Sequence, residues 1–164
     1  AFDKYLQAAQ ILRASAVVVP LTGTAAVLRQ KADSAANKGL ALYLENVATS
    51  AQEAGELLAE LGGGAKLAFN PAAFAEAGEL PFLTSFRHRA IKKHVGYLVA
   101  TDIGRDGRPR PPGQGKAEVA EIVSILRAGG FSGPIVLARP PGAEFSTHLA
   151  ADALWEVFDR AGVE

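Results

Sequence analysis

Residues 95–140 read VGYLVATDIGRDGRPRPPGQGKAEVAEIVSILRAGGFSGPIVLARP, and this stretch decides the fold. The apolar run 95–100 predicts a buried strand, and the Gly-, Pro- and Arg-rich segment after it predicts a loop that ends near Gly115. A helix is predicted over 116–128 because four apolar residues follow helical spacing: Val119, Ile122, Val123 and Leu126. The apolar run 134–138 predicts a second strand. This order is typical of a βαβ unit, in which ligands bind at the carboxyl ends of parallel strands.

The rest of the chain alternates helices with short apolar strands. Three further strands are predicted at 17–19, 40–45 and 66–69. The predicted helices around them are 2–12, 24–37, 49–61, 72–77, 81–87 and 146–161. About five strands separated by helices predict an α/β fold with a parallel sheet. Either an open doubly wound sheet or part of a (β/α)₈ TIM barrel fits this order, and a whole barrel needs about 250 residues.

Composition and charge exclude several classes of protein. The chain has 164 residues, which we expect to form a single α/β domain, 1–164. Its 17 basic and 17 acidic residues balance, so neither nucleic acid nor an anionic membrane is expected as a partner. It contains no Cys, hence no disulfide or thiolate site. No apolar run reaches the roughly 18 residues of a membrane span, and the absence of targeting signals predicts a cytoplasmic protein.

The start of the chain favours a segment of a longer protein. The sequence contains no Met, begins at Ala1 and enters an amphipathic helix at once. On this hypothesis, amino-terminal βα units of a barrel are missing. The alternative is a complete small protein without its initiator Met. A complete sheet of five strands would have two open edges, and we would then expect a homodimer that covers them.

Four segments resemble one known family. They are LALYLEN (40–46), KLAFNPAAF (66–74), VGYLVATD (95–102) and PPGQG followed by GFSGPIVLARP (within 111–140). In order and spacing they resemble the carboxyl-terminal portion of the sugar phosphate isomerase/epimerase family, the xylose-isomerase-like TIM barrels. The resemblance implies a TIM-barrel type of α/β fold in which the first strand here is the fourth of the barrel.

The resemblance also implies a metal site, which this sequence does not preserve. In that family, strands five to eight supply Glu, Asp, His and Glu to one Mn²⁺-like cation that supports proton transfer on a sugar. The matching positions are Glu45, Asn70, Val99 and Ala138. Only Glu45 keeps the family ligand, and the side chains of Val99 and Ala138 have no lone pair to offer. We therefore expect a degenerate metal site without a cofactor, with Glu45 as the candidate catalytic residue. A Mn-like divalent metal is expected only if other residues rebuild the site.

Other polar residues near the predicted mouth are candidate ligand contacts. Asn70 and Asp102 follow buried strands, and Arg105 and Arg110 lie in the loop after Asp102, where Arg forks and exposed amides bind anions. Arg139, next to the position of the last family Glu, is expected to point into the mouth. The three histidines, His88, His94 and His148, are expected at the surface, away from the site.

These patterns lead to two functional hypotheses. The first is a sugar isomerase/epimerase-like barrel that has lost metal-dependent catalysis and binds a small carbohydrate-like ligand or a protein partner. The alternative is an active sugar (phosphate) isomerase or epimerase that uses Glu45 and a rebuilt site. A fold alone does not determine function, so the two hypotheses have to be distinguished by the side chains at the strand ends.

Overall fold

Five parallel strands form the central sheet of the computed structural model, which describes residues 1–162. In their order across the sheet they are β1 (Ala16–Pro20), β2 (Ala41–Glu45), β3 (Lys66–Phe69), β4 (Val95–Ala100) and β7 (Ile135–Leu137). All four pairings are parallel, so the carboxyl ends of the strands share one rim. All five strands predicted from the sequence are thus confirmed.

Within residues 1–162, seven α-helices connect and cover the strands. They are α1 (Phe2–Ile11), α2 (Ala25–Ala36), α3 (Ala51–Leu61), α4 (Pro71–Glu76), α5 (Arg89–His94), α6 (Val119–Ala128) and α7 (Thr147–Ala161), with a π-helical turn at Pro81–Ser85. Side-chain caps begin several of them: Thr24 accepts from the backbone of α2, Ser50 from α3 and Ser146 from α7. Within residues 1–162, no helix is long and apolar enough to cross a bilayer.

The helices cover one face of the sheet. Leu44, Leu67, Phe69 and Leu98 point into a core shared with helical side chains, such as Leu58. Full burial of one such side chain stabilises the fold by about 1.5–3 kcal/mol. The opposite face carries Tyr43, Glu45, Lys66 and Tyr97, which are only partly buried or exposed. A doubly wound sheet has helices on both faces, so this arrangement fits part of a TIM barrel, whose inner face lies across from its helices.

Four local features differ from the sequence-based predictions. The hairpin of β5 (Asp102–Ile103) and β6 (Pro109–Arg110) and helix α5 were not predicted. His94 is buried rather than at the surface, because its Nδ1 and Nε2 lie 2.5 and 3.0 Å from the carbonyl oxygens of Ala90 and Gly62. The first helix was predicted to extend to Leu12, but α1 ends at Ile11 and Leu12 is 79% exposed. His148 is exposed, as predicted.

Candidate functional site

The carboxyl ends of β2 and β3 bring Glu45 and Asn70 into direct contact. Glu45 ends β2, and Asn70 follows Phe69, the last residue of β3. Because the strands are parallel and in register, with Glu45 opposite Ala68, their tips meet at the same rim. The Asn70 Nδ2 donates to Glu45 Oε1 at 2.8 Å. Two of the side chains predicted to converge at the strand ends therefore form a hydrogen-bonded pair.

The orientation of the Asn70 amide follows from its other partners. Asn70 is the N-cap of α4, and its Oδ1 accepts from the backbone N–H of Ala73 at 3.2 Å. The same oxygen accepts from Thr101 Oγ1, at the end of β4, at 2.8 Å. A backbone N–H can only donate and a carboxylate can only accept, so the amide oxygen must face Ala73 and the nitrogen must face Glu45.

Asn46 fixes the backbone of Asn70. Its Nδ2 donates to the Asn70 carbonyl oxygen at 2.8 Å, and its Oδ1 accepts from the Asn70 N–H at 2.7 Å. Asn46 is fully buried, and these two bonds satisfy its amide in the apolar layer beside the sheet. The tips of β2, β3 and β4 are thus joined by one chain of side-chain hydrogen bonds.

This donor set does not fit a divalent cation. The atom that Asn70 turns toward Glu45 is an amide nitrogen with its protons, which cannot ligate a metal. Val99, whose side chain is buried, and Ala138 lie at the other positions implied by the family resemblance, and neither has a donor atom. Among residues 1–162, no three His, Asp or Glu side chains lie close enough together to hold a metal ion.

Asp102 organises the loop that follows β4. Its Oδ1 accepts from the N–H groups of Ile103 and Ala117, and its Oδ2 accepts from those of Gly113 and Gly115. Burial raises the pKa of the Asp102 carboxyl, and the four N–H donors oppose that rise. A side chain at Gly115 would overlap the Asp102 carboxylate, so only glycine allows this close approach. The carboxylate that was predicted as a ligand contact thus has four partners from its own loop.

Among residues 1–162, none of the three arginines predicted as ligand contacts forms a hydrogen bond or ion pair with Glu45 or Asn70. Arg110 Nη2 pairs with Asp106 Oδ2 at 2.7 Å, and Arg105 is exposed. The backbone N–H of Arg108, together with Arg110, lowers the pKa of the Asp106 carboxyl. Arg139 donates from Nε to the Phe145 carbonyl at 2.9 Å and from Nη2 to that of Ala143 at 2.8 Å. These bonds connect its guanidinium to its own loop.

A cavity of about 360 Å³ opens above the strand ends. Asn70 and Thr101 line it, together with Asp102, Glu76 and apolar or backbone groups of the surrounding loops. Glu45 is not among its lining residues and reaches the cavity only through its bond to Asn70. None of Arg105, Arg110 and Arg139 lines it either.

Two tyrosines stand beside Glu45 on the inner face. Glu45 pairs with Ala68 across the sheet and Ala68 pairs with Tyr97, which places Glu45 and Tyr97 in one row. Burial raises the pKa of the Tyr97 phenol, and the negative charge of Glu45 raises it further. The Tyr43 and Tyr97 rings lie 5.3 Å apart between centroids. This face therefore combines aromatic surface with a carboxylate.

Asn46, Thr101 and Tyr97 are residues of this site that the sequence motifs do not single out. The sequence could have indicated two of them as site residues, because Asn46 and Thr101 are polar residues directly after apolar strands. Tyr97 lies within an apolar run and carries no such signal.

Comparison with known proteins identifies the fold. No protein-family model and no curated protein matches the sequence. A xylose isomerase domain protein from Planctomyces limnophilus is similar in structure, with TM-score 0.79 and 16% identity over 98% of this chain and 64% of that one. A D-tagatose 3-epimerase-like protein has TM-score 0.71 and 16% identity over 97% and 66%. A 3-keto-D-glucoside 4-epimerase from E. coli has TM-score 0.69 and 16% identity over 96% and 69%.

The similarity extends over nearly the whole chain but not over the whole of those proteins. The chain spans 64% and 66% of the first two structures. The TM-score of 0.79 establishes a shared fold, whereas 16% identity is too low to carry an activity over to this chain. The resemblance seen in the sequence is therefore confirmed for the fold: this chain has a partial TIM-barrel fold, similar to that of xylose isomerase domain proteins and sugar epimerases.

Proposed function

We propose that this sugar isomerase/epimerase-like barrel binds a neutral carbohydrate-like ligand at the carboxyl ends of β2, β3 and β4, without metal-dependent catalysis. The Glu45–Asn70 hydrogen bond carries the proposal, since it directly joins two positions for which the family resemblance implies metal-ligating carboxylates. A carboxylate, an amide and a hydroxyl in one chain can donate to and accept from the hydroxyls of a sugar.

The network keeps unused hydrogen-bonding capacity. Among residues 1–162, no group donates to Oε2 of Glu45. The Asn70 Nδ2 carries a second proton, and Thr101 Oγ1 donates one bond while its lone pairs remain available. A cavity of about 360 Å³ lies within the range of small-ligand sites. These features support a small polyhydroxylated ligand.

Charge favours a neutral ligand over a sugar phosphate at this mouth. The Glu76 carboxylate lines the cavity, whereas Arg105, Arg110 and Arg139 do not. An anionic group placed there would meet a like charge without a compensating cation.

NMR titration with neutral hexoses, such as D-tagatose and D-fructose, tests the binding proposal. We expect saturable shifts in the amides of 70–76 and 101–103. Thr101→Val removes one hydroxyl and should weaken binding by about tenfold. Thr84→Val, the same change outside the cavity, should leave the affinity unaltered. If no hexose produces saturable shifts, or if both variants bind alike, the proposal fails.

The alternative is an active isomerase or epimerase that uses Glu45, and the epimerases among the similar structures favour considering it. Incubation of ketoses with the protein in D₂O, with and without Mn²⁺, would reveal proton transfer at carbon by NMR. We expect no exchange above the rate without protein. Exchange that disappears in Glu45→Gln would establish the alternative.

A further inference from the structure

The amino-terminal ends of β3 and β4 enclose a second cavity, of about 560 Å³. It lies at the rim of the sheet opposite the candidate site, between the start of β4 and the Gly-rich loop 130–134. Three basic side chains line it, Lys66, Lys93 and His94, and none of the Asp or Glu residues among 1–162 does. Within residues 1–162, neither lysine forms an ion pair. The cavity therefore concentrates positive charge in a chain whose net charge is zero.

Lys66 is positioned by its surroundings. Its Nζ lies 6.0 Å from the centroid of the Tyr43 ring, which also lines the cavity. Its stem lies over Gly96, where an added Cβ would be 3.3 Å from Lys66 Cβ and 3.2 Å from Tyr43 Cε1. Gly96 thus leaves room for the lysine stem to lie across the wall of the cavity.

His94 forms part of the same wall. Its ring is buried, and its two ring nitrogens lie next to the carbonyl oxygens of Ala90 and Gly62. These contacts fix the orientation of the imidazole ring in the wall of the cavity.

Ser132 and Gly133 of the Gly-rich loop also line the cavity. Among the described residues, the N–H groups of Ser132 and Gly133 in the Gly-rich loop have no acceptor. Unused N–H groups next to ammonium groups bind oxyanions well. From these groups we infer that the amino-terminal rim binds the phosphate group of a small phosphorylated molecule. This inference is independent of the carbohydrate site at the other rim.

Calorimetric titration at constant ionic strength tests this assignment, with glucose 6-phosphate, inorganic phosphate and glucose as probes. We expect saturable binding of glucose 6-phosphate and none of glucose at this rim. Lys66→Gln and Lys93→Gln should each weaken binding by about tenfold. Lys92→Gln is the matched control, since Lys92 is exposed on the same helix and does not line the cavity. Its affinity should stay within about twofold of the wild-type value.

Amide shifts upon titration should map to 63–66, 93–96 and 130–134. Both test lysines are exposed, so thermal unfolding should show that their variants fold normally. The assignment is overturned if glucose 6-phosphate does not bind saturably, if Lys92→Gln weakens binding as much as the other two, or if the shifts map only to the opposite rim. Binding of inorganic phosphate without glucose 6-phosphate would overturn the assignment to a phosphorylated small molecule.

Discussion

At the residue scale, the polar side chains of the candidate site bind one another. Asn70 connects Glu45 to Thr101, and its own backbone is held by Asn46. Asp102 is satisfied by four N–H groups of the following loop. Buried polar groups need such partners, and here the partners are protein atoms. The rim is thus preorganised before any ligand is bound.

Asp102→Asn should destabilise the protein strongly. The amide keeps one oxygen, so one pair of loop N–H groups would face an NH₂ group and lose its acceptor. Each buried donor left unpaired costs about 1–3 kcal/mol, so the two donors give about 2–6 kcal/mol for the variant. Urea unfolding measures this loss. Asp106→Asn, in the exposed part of the same loop, is the control and should change stability far less than Asp102→Asn does. Equal unfolding midpoints for the two variants would contradict the role given to Asp102.

At this scale, the sequence predicted which side chains lie at the strand ends better than it predicted their hydrogen-bond partners. That Glu45 and Asn70 converge follows from parallel strands ending at one rim, and it could be predicted. The direction of the Asn70 amide depends on Ala73 and Thr101, and the partners of Asp102 lie up to 15 residues further along the chain. Such contacts are set by loop conformation, for which periodicity gives no signal.

At the element scale, α3 shows how local signals place a helix. Ser50 and Glu53 have the Ser-x-x-Glu spacing of a capping box, and the structure contains both reciprocal bonds. Helix α5 was missed because four of its six residues are basic and only Ile91 and His94 are buried. The short hairpin of β5 and β6 was missed because two-residue strands have no measurable alternation.

The capping box predicts a pH dependence of α3. The backbone and hydroxyl bonds from Ser50 lower the pKa of the Glu53 carboxyl. A lowered folded-state pKa means that the stabilisation is present above the unfolded-state pKa and is lost as the pH falls through the folded-state value. Glu53→Gln should therefore be less stable than wild type at pH 7, and the difference should shrink at acidic pH. Thermal unfolding at both pH values measures it. A difference that does not depend on pH would contradict the charged cap.

The contact of α3 with α5 depends on a glycine. Gly55 is buried in α3, and a Cβ there would overlap the His88 ring. Alanine is favoured over glycine in a helix by about 1 kcal/mol, yet we expect Gly55→Ala to destabilise by about 1–3 kcal/mol because the overlap dominates. Chemical unfolding of Gly55→Ala, His88→Ala and the double variant measures this. The double variant should recover stability relative to Gly55→Ala. An increase in stability for Gly55→Ala alone would contradict the packing.

At the scale of the whole molecule, five strands leave two edges and one face uncovered. Within the described residues, β1 and β7 each pair on one side only, and helices cover one face. Free edges and a partly apolar inner face promote association. We therefore predict that the 164-residue chain, produced by itself, forms a dimer. Light scattering measures the mass, and a stable monomer at micromolar concentration would contradict this prediction.

At this scale, the positions of the strands along the chain and the α/β fold class were predictable, because each buried strand is a short apolar run between turn residues. The choice between a doubly wound sheet and a barrel was not decided by periodicity. It followed from the family resemblance and is now supported by the helices on one face and by the similar solved structures. Alternation of apolar residues alone does not tell whether the second face of a strand meets helices or a barrel interior.

The central claim is that a hydrogen bond between Glu45 and Asn70 takes the place of a metal ion, and Mn²⁺ titration followed by electron paramagnetic resonance tests it most directly. We predict that the wild-type protein has no stoichiometric Mn²⁺ site. In Asn70→Asp two carboxylates face each other, so this variant should gain cation binding and should be less stable than wild type without the metal. A stoichiometric Mn²⁺ ion on the wild-type protein that is lost in Glu45→Gln would contradict the claim.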